Sequence, residues 1–385
     1  MVIDVILGLV FLFVVLGIGR AVQKLRIHTF VYYFFRILFF KKPGILTQKP
    51  YPELHSYEKG FAEYYDKKLK HLAEKAEYLR IDTLTRSKRA LISILPFIIL
   101  TLIILILVGF AGLGEGFVVI ALFVVFVGGV IFAIIFDLRV GKGKGIYTFN
   151  FDHKEQIIPI ILDFYGGFKY TPLDRLHPYN IDVEPYFKYS IIPEDFNSIM
   201  SSTEDQISGT YKNVRINCFE AKLDGDPQII KGYKTLRFKG LILDLSVNKN
   251  FTGKTIIKTD KGSLINNISE RKLPENQEVV RLEDPEFEKL FEVYSDDQVQ
   301  ARYLLTTSFM ERLIELQQAF GSQKIECCFY EKTLLIKIPT NYPWFEIHSI
   351  FEQIDLQESS KKILANMNSI LNICETLQMD SDIGL

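Results

Sequence analysis

The sequence predicts an α+β protein in which a transmembrane helical hairpin, with a further N-terminal membrane helix, is joined to a cytoplasmic α+β domain whose sheet is mainly antiparallel. Three observations predict it. Two runs of twenty residues, Leu91–Phe110 and Phe117–Phe136, contain no charge. Cations stand at both outer ends of that pair, while only Glu115 stands between its members. Beyond them, β-rich segments come first and helical patterns follow, an order that favours an antiparallel sheet over alternating βαβ units.

The first nineteen residues, MVIDVILGLVFLFVVLGIG, form an apolar run with Asp4 near one end. A secretory signal would place its cations before the run. Here Arg20, Lys24 and Arg26 follow it, which favours an uncleaved anchor over a leader. Its short length leaves an interfacial helix as the other reading. Residues 20–56 make a basic, aromatic segment and linker. Within it His28–Phe40 is too short and too charged to cross a bilayer, and Lys41 and Lys42 follow directly. Tyr32, Tyr33, Arg36, Lys41 and Lys42 suit a headgroup region, where aromatic rings and cations settle. Packing against the soluble domain is the alternative. The Pro-rich KPYPELHS (Lys49–Ser56) reads as a linker.

Residues 57–90 read as an amphipathic cytoplasmic helix, with Phe61, Tyr65, Leu69, Leu72, Ala76 and Leu79 recurring at steps of four and three. Residues 91–136 are the hairpin. A helix of twenty residues is about 30 Å long, the thickness of a bilayer's hydrocarbon core. Arg86, Lys88 and Arg89 precede it and Arg139, Lys142 and Lys144 follow. The positive-inside rule then puts both flanks in the cytoplasm. Residues 137–150 are a linker, and 151–385 the soluble domain. In that domain Asp152–Tyr165 reads as a helix carrying Pro159 and ended by Gly166–Gly167, and Pro172–Pro193 as irregular chain. Val214–Leu223, Tyr233–Val247, Lys254–Thr259, Val279–Leu282 and Leu290–Tyr294 read as strands. A helical turn is expected at Asp284–Lys289, with helices at Asp297–Leu304, Thr307–Phe320 and Ser359–Leu377. Ile325–Tyr330 and Thr333–Ile338 read as a hairpin of strands.

Charge is distributed unevenly. Arg20–Arg89 holds sixteen Lys/Arg against seven Asp/Glu, whereas the part after Lys144 holds 26 against 36. An acidic domain argues against nucleic acid as a partner. The lipid bilayer is the expected partner of the basic part, and a protein partner is expected at the cytoplasmic domain.

Motifs for chemistry were sought and most fail on spacing. Gly253-Lys254-Thr255 lacks the glycine five residues earlier that a phosphate loop needs, because Asn248 stands there. Cys218, Cys327, Cys328 and Cys374 show no metal-ligand spacing and read as buried thiols. The six histidines are scattered, and no nucleophile elbow occurs. No cofactor and no metal site is expected. One polar cluster invites a test: Asp296 and Asp297 with Arg302. Adjacent carboxylates can hold a hard cation, and they equally suit the start of a helix, with Ser295 or Asp296 as the expected cap.

Three stretches, ISGTYKNVRINCFEAKL (Ile207–Leu223), FKGLILDLSVNKNFTGKTII (Phe238–Ile257) and LEDPEFEKLFEVYSDDQVQARYLLTTSFMERLIEL (Leu282–Leu316), resemble a bacterial membrane-protein family, domain of unknown function 3137. The resemblance covers roughly residues 57–340 and extends to a basic helix and two-span hairpin ahead of the domain. It implies an integral protein of the bacterial inner membrane with a cytoplasmic C-terminal domain. It carries no activity and no catalytic residue. The expected function is that of a membrane-anchored binding or scaffold protein. A membrane-tethered enzyme using the Asp296–Asp297 helix start, or an envelope- or lipid-maintenance factor, is the alternative.

Overall fold

The computed structural model describes residues 32, 35–41, 50–110, 146–172, 202–223, 238–259, 277–321, 324–347 and 349–377. The chain divides into two units. One takes in Met1–Lys49, His71–His153 and His348–Ile354; the other takes in Pro50–Lys70, Lys154–Ile347 and Asp355–Leu385.

A nine-stranded antiparallel sheet organises the second unit, in the order β1-β2-β3-β4-β9-β8-β5-β7-β6. Its strands are β1 Phe168–Thr171, β2 Ser202–Tyr211, β3 Val214–Leu223, β4 Phe238–Ser246, β5 Thr255–Thr259, β6 Glu278–Val280, β7 Phe291–Ser295, β8 Glu326–Tyr330 and β9 Thr333–Pro339. In β4, β8 and β9 consecutive residues are buried, so both faces of these central strands are covered. Two tight turns fix the register. Lys212–Asn213 joins β2 to β3, and Glu331–Lys332 joins β8 to β9. All four residues have positive φ, the geometry that matches the right-handed twist of a two-residue hairpin. Gly240 sits where β4 approaches β9 most closely. A methyl group added there would lie 2.1 Å from the Ile338 carbonyl oxygen, so only glycine fits.

The helices with defined bounds among the described residues are α1 Phe61–Lys68, α2 Lys70–Phe110, α3 Ile146–Leu162, α4 Pro285–Leu290, α5 Gln298–Leu304, α6 Thr307–Ala319 and α7 Leu356–Thr376. Four of them start on a side-chain cap. Asp284, Asp297, Thr306 and Asp355 each accept from backbone N–H groups of the first turn of α4, α5, α6 and α7 respectively. The cap of α5 is thus Asp297, one or two residues beyond the residues expected. The helix expected over residues 57–90 is broken at Leu69 into α1 and the start of α2, after a 3-10 turn at Ser56–Glu58. Around that turn Tyr51, Phe61, Tyr65 and Phe164 pack ring against ring. The Glu58 carboxylate is buried there. Burial opposes its charge, but N–H donors from Leu54 and His55 and the Tyr51 hydroxyl outweigh it and hold the group below the usual carboxylate range.

The first unit corrects the membrane architecture expected from sequence. Among the described residues no helix is long and apolar enough to cross a membrane, so the transmembrane hairpin is withdrawn. Leu91–Phe110 is not a separate element. It is the distal half of α2, continuous with a charged half that holds nine of the chain's Lys, Arg, Asp and Glu from Lys70 to Arg89. Its entry is packed on protein: Leu91 is buried with Ile37, Leu84 and Ile350. The second expected span, Phe117–Phe136, the N-terminal helix 1–19 and the linker at 137–145 lie outside the described residues, as do Pro172–Pro193 beyond Pro172. The α+β character and the antiparallel sheet stand.

Candidate functional site

The side chains of Asp296, Asp297 and Arg302, expected as a polar cluster, each engage other partners. Asp297 accepts from Val299 N at 2.9 Å and Gln300 N at 3.0 Å and is spent on the cap of α5. Asp296 Oδ1 accepts from Lys254 N at 2.7 Å and so ties down the turn that leads into β5. Gly253 in that turn has φ +78°, and a methyl group there would meet the same oxygen at 2.4 Å. Arg302 turns back on its own helix, donating to the Gln298 carbonyl at 3.0 Å, and reaches the Arg281 carbonyl at 3.2 Å. Among the described residues no group of three His, Cys, Asp or Glu side chains could hold a metal ion. The four cysteines are free and buried, and burial pushes the thiols of Cys218 and Cys328 up to about 12. Protonated thiols of this kind are poor nucleophiles.

An ionic cluster does exist in the second unit, drawn from five separate elements, with Glu346 exposed at its rim. Asp205 interrupts β2 at a bulge, with φ +53°, between Glu204 and Ile207. The bulge sets its carboxylate against Lys154 of α3, whose Nζ donates to Asp205 Oδ2 at 2.8 Å and to Glu346 Oε2 at 3.1 Å. The Tyr170 hydroxyl of β1 donates to the other Asp205 oxygen. Burial disfavours the ammonium, but Asp205 and Glu346 outweigh it and hold Lys154 above its ordinary range. It is therefore a fixed cation and not a base. Burial, then Asp205, pushes the carboxyl of Glu220 on β3 up to about 7. Glu220 Oε1 nonetheless accepts from Trp344 N at 2.7 Å and Phe345 N at 2.9 Å, pinning the loop after β9 to the sheet.

That loop forms one wall of a groove of about 470 Å³. The ring of Trp344 lies between Phe320, at 6.0 Å, and Tyr342, at 6.2 Å, with planes within 25°. Asn341, Asn366 and Asn372 bring amides to the lining, and Thr340, Ser369 and Thr376 bring hydroxyls. Trp344 is 2% exposed, and its Nε1 has no hydrogen-bond partner among the described residues. Sequence reasoning passed over every one of these residues. The available signal was Glu220 itself, a carboxylate in step with Val214, Ile216 and Cys218 on the apolar face of its strand.

The surface residues expected to meet lipid fall in the first unit. Tyr33 and Lys42 lie outside the described residues. Arg36 packs over the rings of Tyr32 and Phe351 at 5.6 and 5.4 Å. Arg36, Lys41 and Arg80 share a cavity of about 420 Å³ with Phe35, Phe39, Phe40 and Phe351. Arg80 is buried and committed: it pairs with Glu77 at 2.7 Å and donates to the Ile350 carbonyl at 3.0 Å. Tyr32, Phe35 and Phe39 are half or more exposed, at 52%, 50% and 70%.

Residues 236–379 match the family described as protein of unknown function (DUF3137). The family resemblance is shown over that segment, which takes in β4 to α7 and leaves β1–β3 outside. No curated protein matches the chain. Among solved structures, the crystal structure of the mycobacterial trehalose monomycolate transport factor A, TtfA, is similar at 10% identity over 58% of this chain and 95% of that one, with a TM-score of 0.29. A likeness at that level carries no argument.

Proposed function

We propose that this chain is a non-catalytic binding protein that works against a lipid surface, with the aromatic, basic corner of its first unit as the contact. One observation carries the reading: exposed Tyr32, Phe35 and Phe39 stand beside Arg36 and Lys41 on one short stretch. Large apolar side chains left in water mark a surface with a partner. Ile92, Ile99 and Ile103, each about half exposed, extend the apolar character along α2 at steps of seven and four, which place them on one stripe. Rings of this kind seat themselves at headgroup depth while the neighbouring cations meet anionic lipid. The contact is peripheral: it lies on a bilayer and does not cross it. The binding part of the reading is supported by the second unit, where Asp284, Asp297 and Asp355 serve as helix caps, Asp296 ties a turn, and Lys154, Asp205 and Glu220 are committed to one cluster.

Vesicle co-sedimentation of the full chain tests it. Binding to vesicles of mixed zwitterionic and anionic lipid should exceed binding to zwitterionic vesicles, and should weaken as salt rises. The variant Phe35→Ser with Phe39→Ser should lose most of the bound fraction. Equal binding to both vesicle types, unchanged in that variant, would overturn the proposal.

A further inference from the structure

We infer that the groove beside Trp344 is a binding site for a neutral, hydroxyl-rich ligand, namely a sugar ring or short oligosaccharide; this deepens the binding-protein reading without depending on the lipid contact. Its size falls within the range of small-molecule pockets, about 300–1,000 Å³. Its chemistry narrows the ligand class. The lining contains no Lys, Arg or His and a single carboxylate, Glu315, so it has nothing to neutralise a phosphate or a carboxylate ligand. In place of charge it offers three primary amides. Each amide both donates and accepts, as a sugar hydroxyl does.

The aromatic residues supply the second half of sugar recognition. Tyr342 is 55% exposed and stacked within 18° of the buried Trp344 ring, and its exposed surface is available to the C–H face of a pyranose. Trp344 itself is held from behind. Its backbone N–H is fixed by Glu220, and its carbonyl accepts from Asn366 Nδ2. An orphaned indole N–H is costly when buried. An extended peptide is the poorer occupant, because β9 lies inside the sheet between β4 and β8 and has no free edge to which a strand could add.

Trp344 is the only tryptophan in the chain, so its fluorescence reports on the groove alone. The full chain, without vesicles or glycoside detergent, should be titrated with glucose, N-acetylglucosamine, maltose and cellotriose. At least one should give a saturable change in emission. Tyr342→Ala and Asn372→Ala, both at exposed positions, should each weaken it by about tenfold, equivalent to about 1.4 kcal/mol. Tyr303→Ala, an exposed ring elsewhere on the unit, should leave it unchanged. The inference is overturned if no sugar gives a saturable change. It is overturned equally if the two groove variants respond like the parent, or if an uncharged proline-rich peptide saturates the signal and the sugars do not. Lipid is absent throughout, so either result leaves the surface reading to its own test.

Discussion

Replacing Glu220 by Gln should remove a large part of the pH dependence of stability between pH 4.5 and 7. The folded carboxyl sits near 7 and its ordinary value is 4.5. Between those values the folded chain holds a proton that the unfolded chain has lost, so unfolding releases a proton and stability falls as pH rises. The group's contribution is complete below 4.5 and gone above 7. A difference of roughly 2.5 units at 1.36 kcal/mol each amounts to about 3 kcal/mol. Glu220 is 9% exposed, so solvent screening takes little from this figure. Glutamine keeps the carbonyl oxygen that accepts from Trp344 and Phe345 and cannot ionise. Urea unfolding followed by Trp344 emission, at several pH values, gives both stabilities from the loop that Glu220 holds. Subtracting the parent curve from the Glu220→Gln curve cancels every other titrating group that the two share. The difference should rise by about 3 kcal/mol in favour of the variant from pH 4.5 to 8. A difference that stays flat within about 1 kcal/mol would refute the argument that burial dominates this carboxyl.

Two further outcomes follow from the same unit. Lys154→Met leaves Asp205 buried without its cation and should lower stability by about 3–5 kcal/mol, while adding Asp205→Asn should restore part of the loss; urea midpoints of the single and double variants decide it. Asp297→Ala removes the cap of α5 and should lower stability by about 1 kcal/mol, whereas Asp297→Asn, which keeps an acceptor, should change the thermal midpoint far less.

How much was legible in the sequence varied with how local the cause was. The bounds of Val214–Leu223 were read without error because apolar and polar residues alternate at its start and LDGDP ends it. Thr307–Ala319 and Leu356–Thr376 were visible through their repeating apolar faces. Ser202–Tyr211 was not among the expected strands, because STEDQISGTY is polar and its register is carried by a bulge and by a turn made of Lys212 and Asn213 without glycine. The ionic cluster was illegible for a different reason. Lys154, Tyr170, Asp205, Glu220 and Glu346 come from α3, three strands and a loop, and only sheet pairing brings them together. The membrane hairpin was the opposite failure: an apolar run was read by itself, whereas it continues a charged helix whose core contacts include Leu84 and Leu91.

The chain passes between its two units five times, at 49/50, 70/71, 153/154, 347/348 and 354/355. No single cut therefore frees either unit whole. The family match begins at 236, between β3 and β4, and a fragment starting there would strip β4 of the neighbour it pairs with from Ile216–Leu245 to Leu223–Phe238. It would carry Trp344 without the carboxylate that anchors it, and would present a long bare strand edge of the kind that drives chains to stick to one another. Dissection of this protein is better done by point substitution than by truncation.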